Sequence, residues 1–202
     1  MGHSKAEKAL SRNRILAAAA TRIREAGLDG ISVGEIMKSA NLTHGGFYGH
    51  FDSRDALVAA ALEQALADGE KAAAAHTGGQ GSMTVKSIVN SYLSLAHRDH
   101  PASGCAIPTL AGEVGRADRQ VRAIMAQQLA KSFNVMGDAL GREVEGETDQ
   151  DTEQFAVSAW SMMIGAMMIS RILAGDPMAD RVLALARKSI LELEALLGGE
   201  RS

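Results

Sequence analysis

The sequence predicts an all-α protein of about nine helices, a small three-helix amino-terminal domain followed by a larger helical body. Three observations predict it. Alanine and leucine are abundant beside only three prolines, a composition that favours helix. Apolar residues recur at helical spacing, and no stretch alternates with the period of two that marks a strand. The breaks between helical patterns are short and carry residues suited to starting or stopping a helix.

The first helix is read over residues 7–26, with Leu10, Ile15, Leu16, Ala19 and Ile23 on one side. Gly27 suits a left-handed stop. Ser32 and Glu35 have the spacing of a capping box, opening a short helix that ends near Ala40. Asn41 tolerates a left-handed turn and Thr43 is a good cap, so the next helix covers residues 44–50. Ser53 caps a long alanine-rich helix reaching about Ala75. The Gly, Gln and Ser cluster at residues 76–82 reads as a linker. Further helices are expected at about residues 84–99, 106–115, 118–143, 151–174 and 177–197. The acidic segment 143–151 reads as a solvated loop, and Gly175-Asp176-Pro177 breaks the chain before the last helix.

A single cysteine, Cys105, allows no internal disulfide and fits a reducing cytoplasm. The start has no apolar signal region, and Ala6 stands where a myristoylation signal wants Ser or Thr, so neither export nor a lipid anchor is expected. The uncharged run at residues 155–170 spans 16 positions. A bilayer needs roughly 20, so no membrane partner is expected. Charge is unevenly spread. Residues 1–54 hold eight Lys and Arg against five Asp and Glu, a net of +3, while the remaining residues carry −6. That asymmetry suits a chain whose amino-terminal end alone meets phosphate, although charge runs are often just solvated surface.

Residues 32–57 carry the densest signal: two short helices joined by a tight turn, with a third helix starting at once. In a helix-turn-helix the amino-terminal end of the second helix enters the major groove of DNA. Phe47 and Phe51, four apart, can face a core, while His44 and Tyr48 face outward with the neighbouring glycines. Tyr48 and His50 offer donors to backbone oxygens, and Arg54 places a cation near phosphate. The plain alternative is a helical corner with aromatic core residues.

Ile15-Leu16, Ala19, Gly27, Ser32-Val33, Ile36, Ala40, Leu42-Thr43, Gly45, Phe47-Tyr48, His50-Phe51, Ser53-Arg54 and Leu57 together resemble the amino-terminal domain of TetR-type (tetracycline-repressor-like) transcriptional regulators. The resemblance is dense over about residues 12–60 and rests on length and helix order beyond. It implies a helix-turn-helix domain at residues 1–52 and a helical effector-binding and dimerisation domain at residues 53–202. It further implies a homodimer on double-stranded DNA at a palindromic operator, released by a small molecule. Carried over by position, Ser32, Thr43, His44, Tyr48, His50 and Arg54 would contact DNA, with Gly45 and Gly46 allowing close backbone approach. The chain departs from the usual pattern at Gly34, Gly46 and Gly49, where larger residues are frequent. Each glycine costs a helix up to about 1 kcal/mol, so readout would rest on few base contacts plus DNA shape.

The carboxy-terminal half must then supply dimerisation and sensing. A helix apolar all round, as at residues 155–170, is buried all round, part of it against a partner subunit. Leu183, Ala186, Ile190, Leu193 and Leu197 form a seam on the last helix, with Met178, Val182 and Leu185 beside it. The last two helices of each subunit would form a four-helix bundle. Candidate effector-pocket residues are Tyr92, Cys105, Ile107, Phe133, Met136, Trp160, Met163 and Met167, in an interior softened by ten methionines. The effector inferred is small, and apolar or electrophilic.

Cys105 precedes a helix expected near Ala106, a setting that favours the thiolate. The resemblance permits a redox sensor there, since some TetR-type regulators with a similar Gly-Cys segment respond to electrophiles or oxidants; a buried inert thiol is the alternative. His97, Asp99, His100 and Cys105 fit no strong zinc template, and neither a metal nor a cofactor is expected. No nucleophile elbow, phosphate loop or paired carboxylate frame points to an enzyme. The expectation is a ligand- or redox-responsive DNA-binding regulator, with a constitutive architectural DNA binder or, less favoured, a small helical enzyme as the alternatives.

Overall fold

The computed structural model describes residues 5–76, 83–102, 104–144 and 148–199. Every regular element among them is helical: α1 (Lys5–Ala26), α2 (Val33–Ser39), a 3-10 helix (His44–Gly49), α3 (Arg54–His76), α4 (Val85–Tyr92), α5 (Leu95–Asp99), α6 (Ile107–Val114), α7 (Arg119–Glu143), α8 (Asp149–Ile172) and α9 (Met178–Gly199). The chain divides into two compact units, Met1–Gly69 with Pro101–Met125 and Glu70–His100 with Ala126–Ser202. Residues 77–82 of the expected linker and 145–147 of the expected acidic loop lie outside the described residues.

In the first unit, Ile15, Leu16, Ala19 and Ile23 of α1 are buried, as are Ile36 and Met37 of α2, Phe47, Phe51 and Leu57. Leu10, expected on the same side of α1, is exposed. It stands more than one helical turn before Ile15, where the helix has left the core. Gly27 ends α1 with φ 77°, the left-handed stop its position suggests. Arg24 is buried, and its guanidinium donates to the Ala102 and Ala65 carbonyls while facing Asp68 at 3.7 Å. A buried charge is tolerated when it is hydrogen-bonded and paired, and here both conditions hold.

The second unit is organised by α8 packed along α9. Trp160 donates its indole N–H to the Ser132 carbonyl at 2.8 Å, joining α8 to α7. Ser170 donates to the Ala179 carbonyl at 2.8 Å, so its buried hydroxyl is satisfied. Arg171 donates to the carbonyls of His97 and Arg98, and Arg187 to that of Leu93, so α8 and α9 both hold the α4–α5 segment.

Several expectations are corrected. The single helix expected at residues 84–99 is two, because Ser94 turns extended and accepts from the His97 amide, starting α5 afresh. The expected capping box at Ser32 and Glu35 is not formed: Ser32 makes no side-chain cap, and Glu35 reaches Arg22 at 3.9 Å instead. True capping boxes occur at Thr84 with Ser87 and at Thr148 with Asp151. The second of these starts α8 at Asp149, two residues before its expected start. At residues 155–170 Val157, Met162 and Ile169 are exposed in the single chain, which the expectation of a partner subunit along part of this helix allows. By length and composition the full 24-residue α8 is apolar enough to cross a bilayer, which the 16-residue count missed; Trp160, Met163 and Met167 nonetheless bury one side of it in the second unit. On α9, Leu183, Ala186 and Ile190 are buried, Leu193 and Leu197 half-buried, and Met178 and Leu185 exposed.

Candidate nucleic-acid interface

The turn between α2 and the 3-10 helix is closed by backbone alone. Asn41 sits at φ 57°, as its short polar side chain allows, and Leu42 donates its amide to the Met37 carbonyl at 2.9 Å. Thr43 is extended and makes no side-chain cap bond. The next element is not the α-helix expected: Gly46 donates to Thr43 O at 3.0 Å and His50 to Phe47 O at 2.8 Å, the i to i−3 pattern of a 3-10 helix. Three glycines in six residues explain it, because each lowers the stability of an α-turn and leaves the shorter one competitive.

Phe47 anchors this element. Its buried ring stacks on Phe51 at 5.9 Å and receives Tyr48 edge-on at 5.2 Å. Tyr48 is left 73% exposed, far more than an apolar ring needs for packing. Ser32, Thr43, His44 and Gly45 are also exposed, Gly46 and His50 half-buried. A side chain built at Gly45 or Gly49 would meet nothing within 4 Å, so no internal contact requires glycine there. At Gly46 a Cβ would reach Met37 Cε at 3.6 Å, an ordinary contact.

Arg54 has another role besides the expected one. Its Nε donates to Ile31 O at 3.1 Å and its Nη2 to Leu28 O at 3.0 Å, so the guanidinium buckles α3 to the turn between α1 and α2. Ser53 caps α3 as expected, accepting from the Ala56 amide at 3.0 Å. Two groups that the sequence reading did not single out complete the unit, Arg24 and Glu113. The Glu113 carboxylate on α6 accepts from the Leu28 amide beside Gly27. Pairings across 78 and 85 residues leave no local pattern to find.

The effector candidates are divided between the units: Cys105 and Ile107 belong to the first, the other six to the second. Tyr92 and Trp160 meet edge to face at 5.0 Å, and Met136, Met163 and Met167 are fully buried. Phe133 is half-buried on a different feature, an open groove of about 700 Å³ between α7 and α8 that Gly137 and Gly141 also line. Cys105 is partly exposed, and its Cα lies 3.3 Å from where a side chain on Gly69 would begin. Ala106, not Cys105, precedes the first turn of α6.

Among the displaced titrations of the second unit, Arg98 is raised and Asp99 lowered by their mutual hydrogen bond, and His97 and Glu194 are shifted chiefly by burial. Burial pushes His97 below its ordinary range, opposed by its Nδ1–H bond to Tyr92 O and reinforced by nearby Arg171. Burial, then a hydrogen bond and repulsion from Glu143, raise Glu194 to about 7 against the pull of Lys86. Among the described residues no group of three or more His, Cys, Asp or Glu stands ready to hold a metal.

A helix-turn-helix with exposed polar groups along its second element, carried beside a larger helical body, defines a DNA-binding transcriptional regulator. Residues 15–61 match the model of the bacterial regulatory proteins of the tetR family, and residues 81–186 that of the tetracyclin repressor-like carboxy-terminal domain. The chain belongs to the TetR family. Solved structures agree on the fold: a TetR-family regulator of Cytophaga hutchinsonii is 20% identical, with both chains covered completely and a TM-score of 0.79. A TetR regulator of Chloroflexus aurantiacus is 23% identical over 93% of this chain and 97% of its own, with a TM-score of 0.76. NemR of E. coli, in its reduced form, is 23% identical over 88% of this chain and 95% of its own, at 0.70. No curated protein sequence matches this chain.

Proposed function

We propose that this protein is a cytoplasmic homodimeric repressor that holds a palindromic operator and lets go when a small apolar or electrophilic molecule binds. The observation that carries the reading is Tyr48, exposed on the 3-10 helix while its neighbour Phe47 is locked in the core. Ser32, Thr43, His44, Tyr48 and His50 make the contacts, with Gly45 and Gly46 leaving the backbone open to approach. His44 is the candidate for a base edge, while Tyr48 and His50 bond phosphate oxygens. Arg54 contributes its charge from where it buckles the unit, since its donors already serve Leu28 and Ile31.

Dimerisation through α8 and α9 is supported by Val157, Met162, Ile169 and Ile172 on α8 and Leu185 and Leu196 on α9, all exposed apolar side chains in the isolated chain. Two recognition elements about 34 Å apart engage successive major grooves on one face of DNA. An effector that binds better to a dimer of different spacing lowers DNA affinity by its difference in binding energy between the two states. The test is a gel shift of a fragment from the chain's own promoter region. Binding that favours an inverted repeat supports the reading, and equal binding to any duplex would favour an architectural DNA binder.

A second reading of the input places it at Cys105, partly exposed and two residues ahead of α6. Cys105→Ser would then retain DNA binding but lose release by an electrophile such as N-ethylmaleimide. Release that survives the substitution assigns sensing elsewhere.

A further inference from the structure

Lys5, Lys8 and Arg12 follow one another on α1 at spacings of three and four, which sets them on one face of the helix. All three are exposed, and among the described residues no carboxylate pairs with any of them.

Arg12 ties this stripe to the recognition element. Its guanidinium carbon lies 4.7 Å from the centroid of the Phe51 ring, in cation–π contact. Phe51 stacks on Phe47, which meets Tyr48 edge to face. A stacked guanidinium is held in one place while its N–H groups remain free to donate, and the fork of donors matches a phosphate.

We propose that Lys5, Lys8 and Arg12 form a cationic rail that binds the sugar-phosphate backbone of double-stranded DNA beside the segment read by the 3-10 helix. The proposal rests on the DNA-binding reading and extends it to α1. The rail adds affinity without sequence preference, because phosphate contacts position a protein and carry no base information. Arg12 is a positioning residue as well as a charge, since it fixes α1 on the aromatic stack beneath Tyr48.

The test measures binding to a labelled random-sequence duplex of about 40 base pairs across a range of salt, because each cation that neutralises a phosphate adds about 0.9 to the slope of log affinity against log salt. Replacing all three by Gln should flatten that slope by about 2.7 per bound protomer and weaken binding at low salt at least tenfold. Lys5→Gln with Lys8→Gln leaves the Phe51 contact intact and should flatten it by about 1.8, which keeps the test valid if the triple variant folds poorly. Arg12→Lys should keep the slope. Unchanged slopes in folded variants overturn the rail and leave the recognition helix standing. A wild-type protein that binds no duplex at all overturns the DNA-binding reading itself, and the rail with it.

Discussion

The carboxylate of Glu113 accepts a hydrogen bond from the backbone amide of Leu28 at 2.6 Å, tying α6 to the turn that follows α1. The bond is possible because residue 27 is glycine. A Cβ on Gly27 would fall 2.3 Å from Glu113 Oε1, and its φ of 77° is one that side-chain-bearing residues rarely adopt. Gly27→Ala should therefore destabilise the fold by at least about 1 kcal/mol from backbone strain alone, with more from the displaced carboxylate. Glu113→Ala should cost about 1 to 3 kcal/mol by orphaning the Leu28 amide. Urea unfolding of each variant reads both effects. A double variant should cost less than the two losses added, since both act on one contact.

Arg24 offers a second stability test. Arg24→Met keeps much of the side-chain volume but leaves the Ala65 and Ala102 carbonyls without this donor. The Ala65 carbonyl, inside α3, keeps its helical partner, so the penalty falls mainly on Ala102 and a loss of about 1 to 3 kcal/mol is expected. The ion pair adds little, because Asp68 is itself 37% exposed. Thermal unfolding followed by circular dichroism measures the loss.

Stability should also depend on pH through Glu194, whose folded pKa of about 7 lies above its ordinary 4.5. The folded chain thus holds this proton more tightly than the unfolded chain. The destabilisation is absent below 4.5, grows as pH rises from 4.5 to about 7, and is complete above 7. Glu194→Gln should be more stable than the wild type at pH 8, and the difference should vanish by about pH 4. His97 acts in the opposite sense, since its lowered pKa makes acid below 6.5 destabilising. Comparing the two proteins at each pH cancels the His97 contribution.

Gly45→Ala separates fold from binding. Nothing lies within 4 Å of the added methyl, and the backbone there is not left-handed, so the fold should gain about 0.4 to 1 kcal/mol. DNA binding should weaken if the backbone at Gly45 approaches the duplex, because the methyl occupies that space. Unchanged affinity in the stabilised variant would remove Gly45 from the interface.

The helix-turn-helix was largely legible in the sequence, for local reasons. Gly27 and Asn41 take the left-handed conformations that their residue types favour, and Ser53 caps α3 through a neighbouring amide. Where a local rule met a competitor three-dimensional context decided: Glu35 faces Arg22 rather than capping with Ser32, and Ser94 splits a continuous apolar pattern into α4 and α5. The 3-10 geometry of residues 44–49 follows from three glycines, whose residue type signals the cost to a helix but not the change of helix type. Arg24 and Glu113 find their partners across long stretches of chain, which no periodicity reveals. The effector candidates share an apolar or soft side-chain chemistry, and chemistry alone does not reveal that Phe133 lines a groove apart from the Tyr92–Trp160 contact.

Tyr48 provides the most direct measurement. The ring is exposed and meets the buried Phe47 edge to face, so Tyr48→Ala should cost no more than about 1 kcal/mol in unfolding. Duplexes selected by the wild-type protein from a random pool should converge on an inverted repeat with half-sites about one helical turn apart. On that repeat, Tyr48→Ala should bind at least about tenfold more weakly, a loss of roughly 1.4 kcal/mol, while remaining folded. Selection that yields no common sequence, or a folded Tyr48→Ala that binds the repeat as tightly as the wild type, would contradict a regulator that reads its operator through the 3-10 helix.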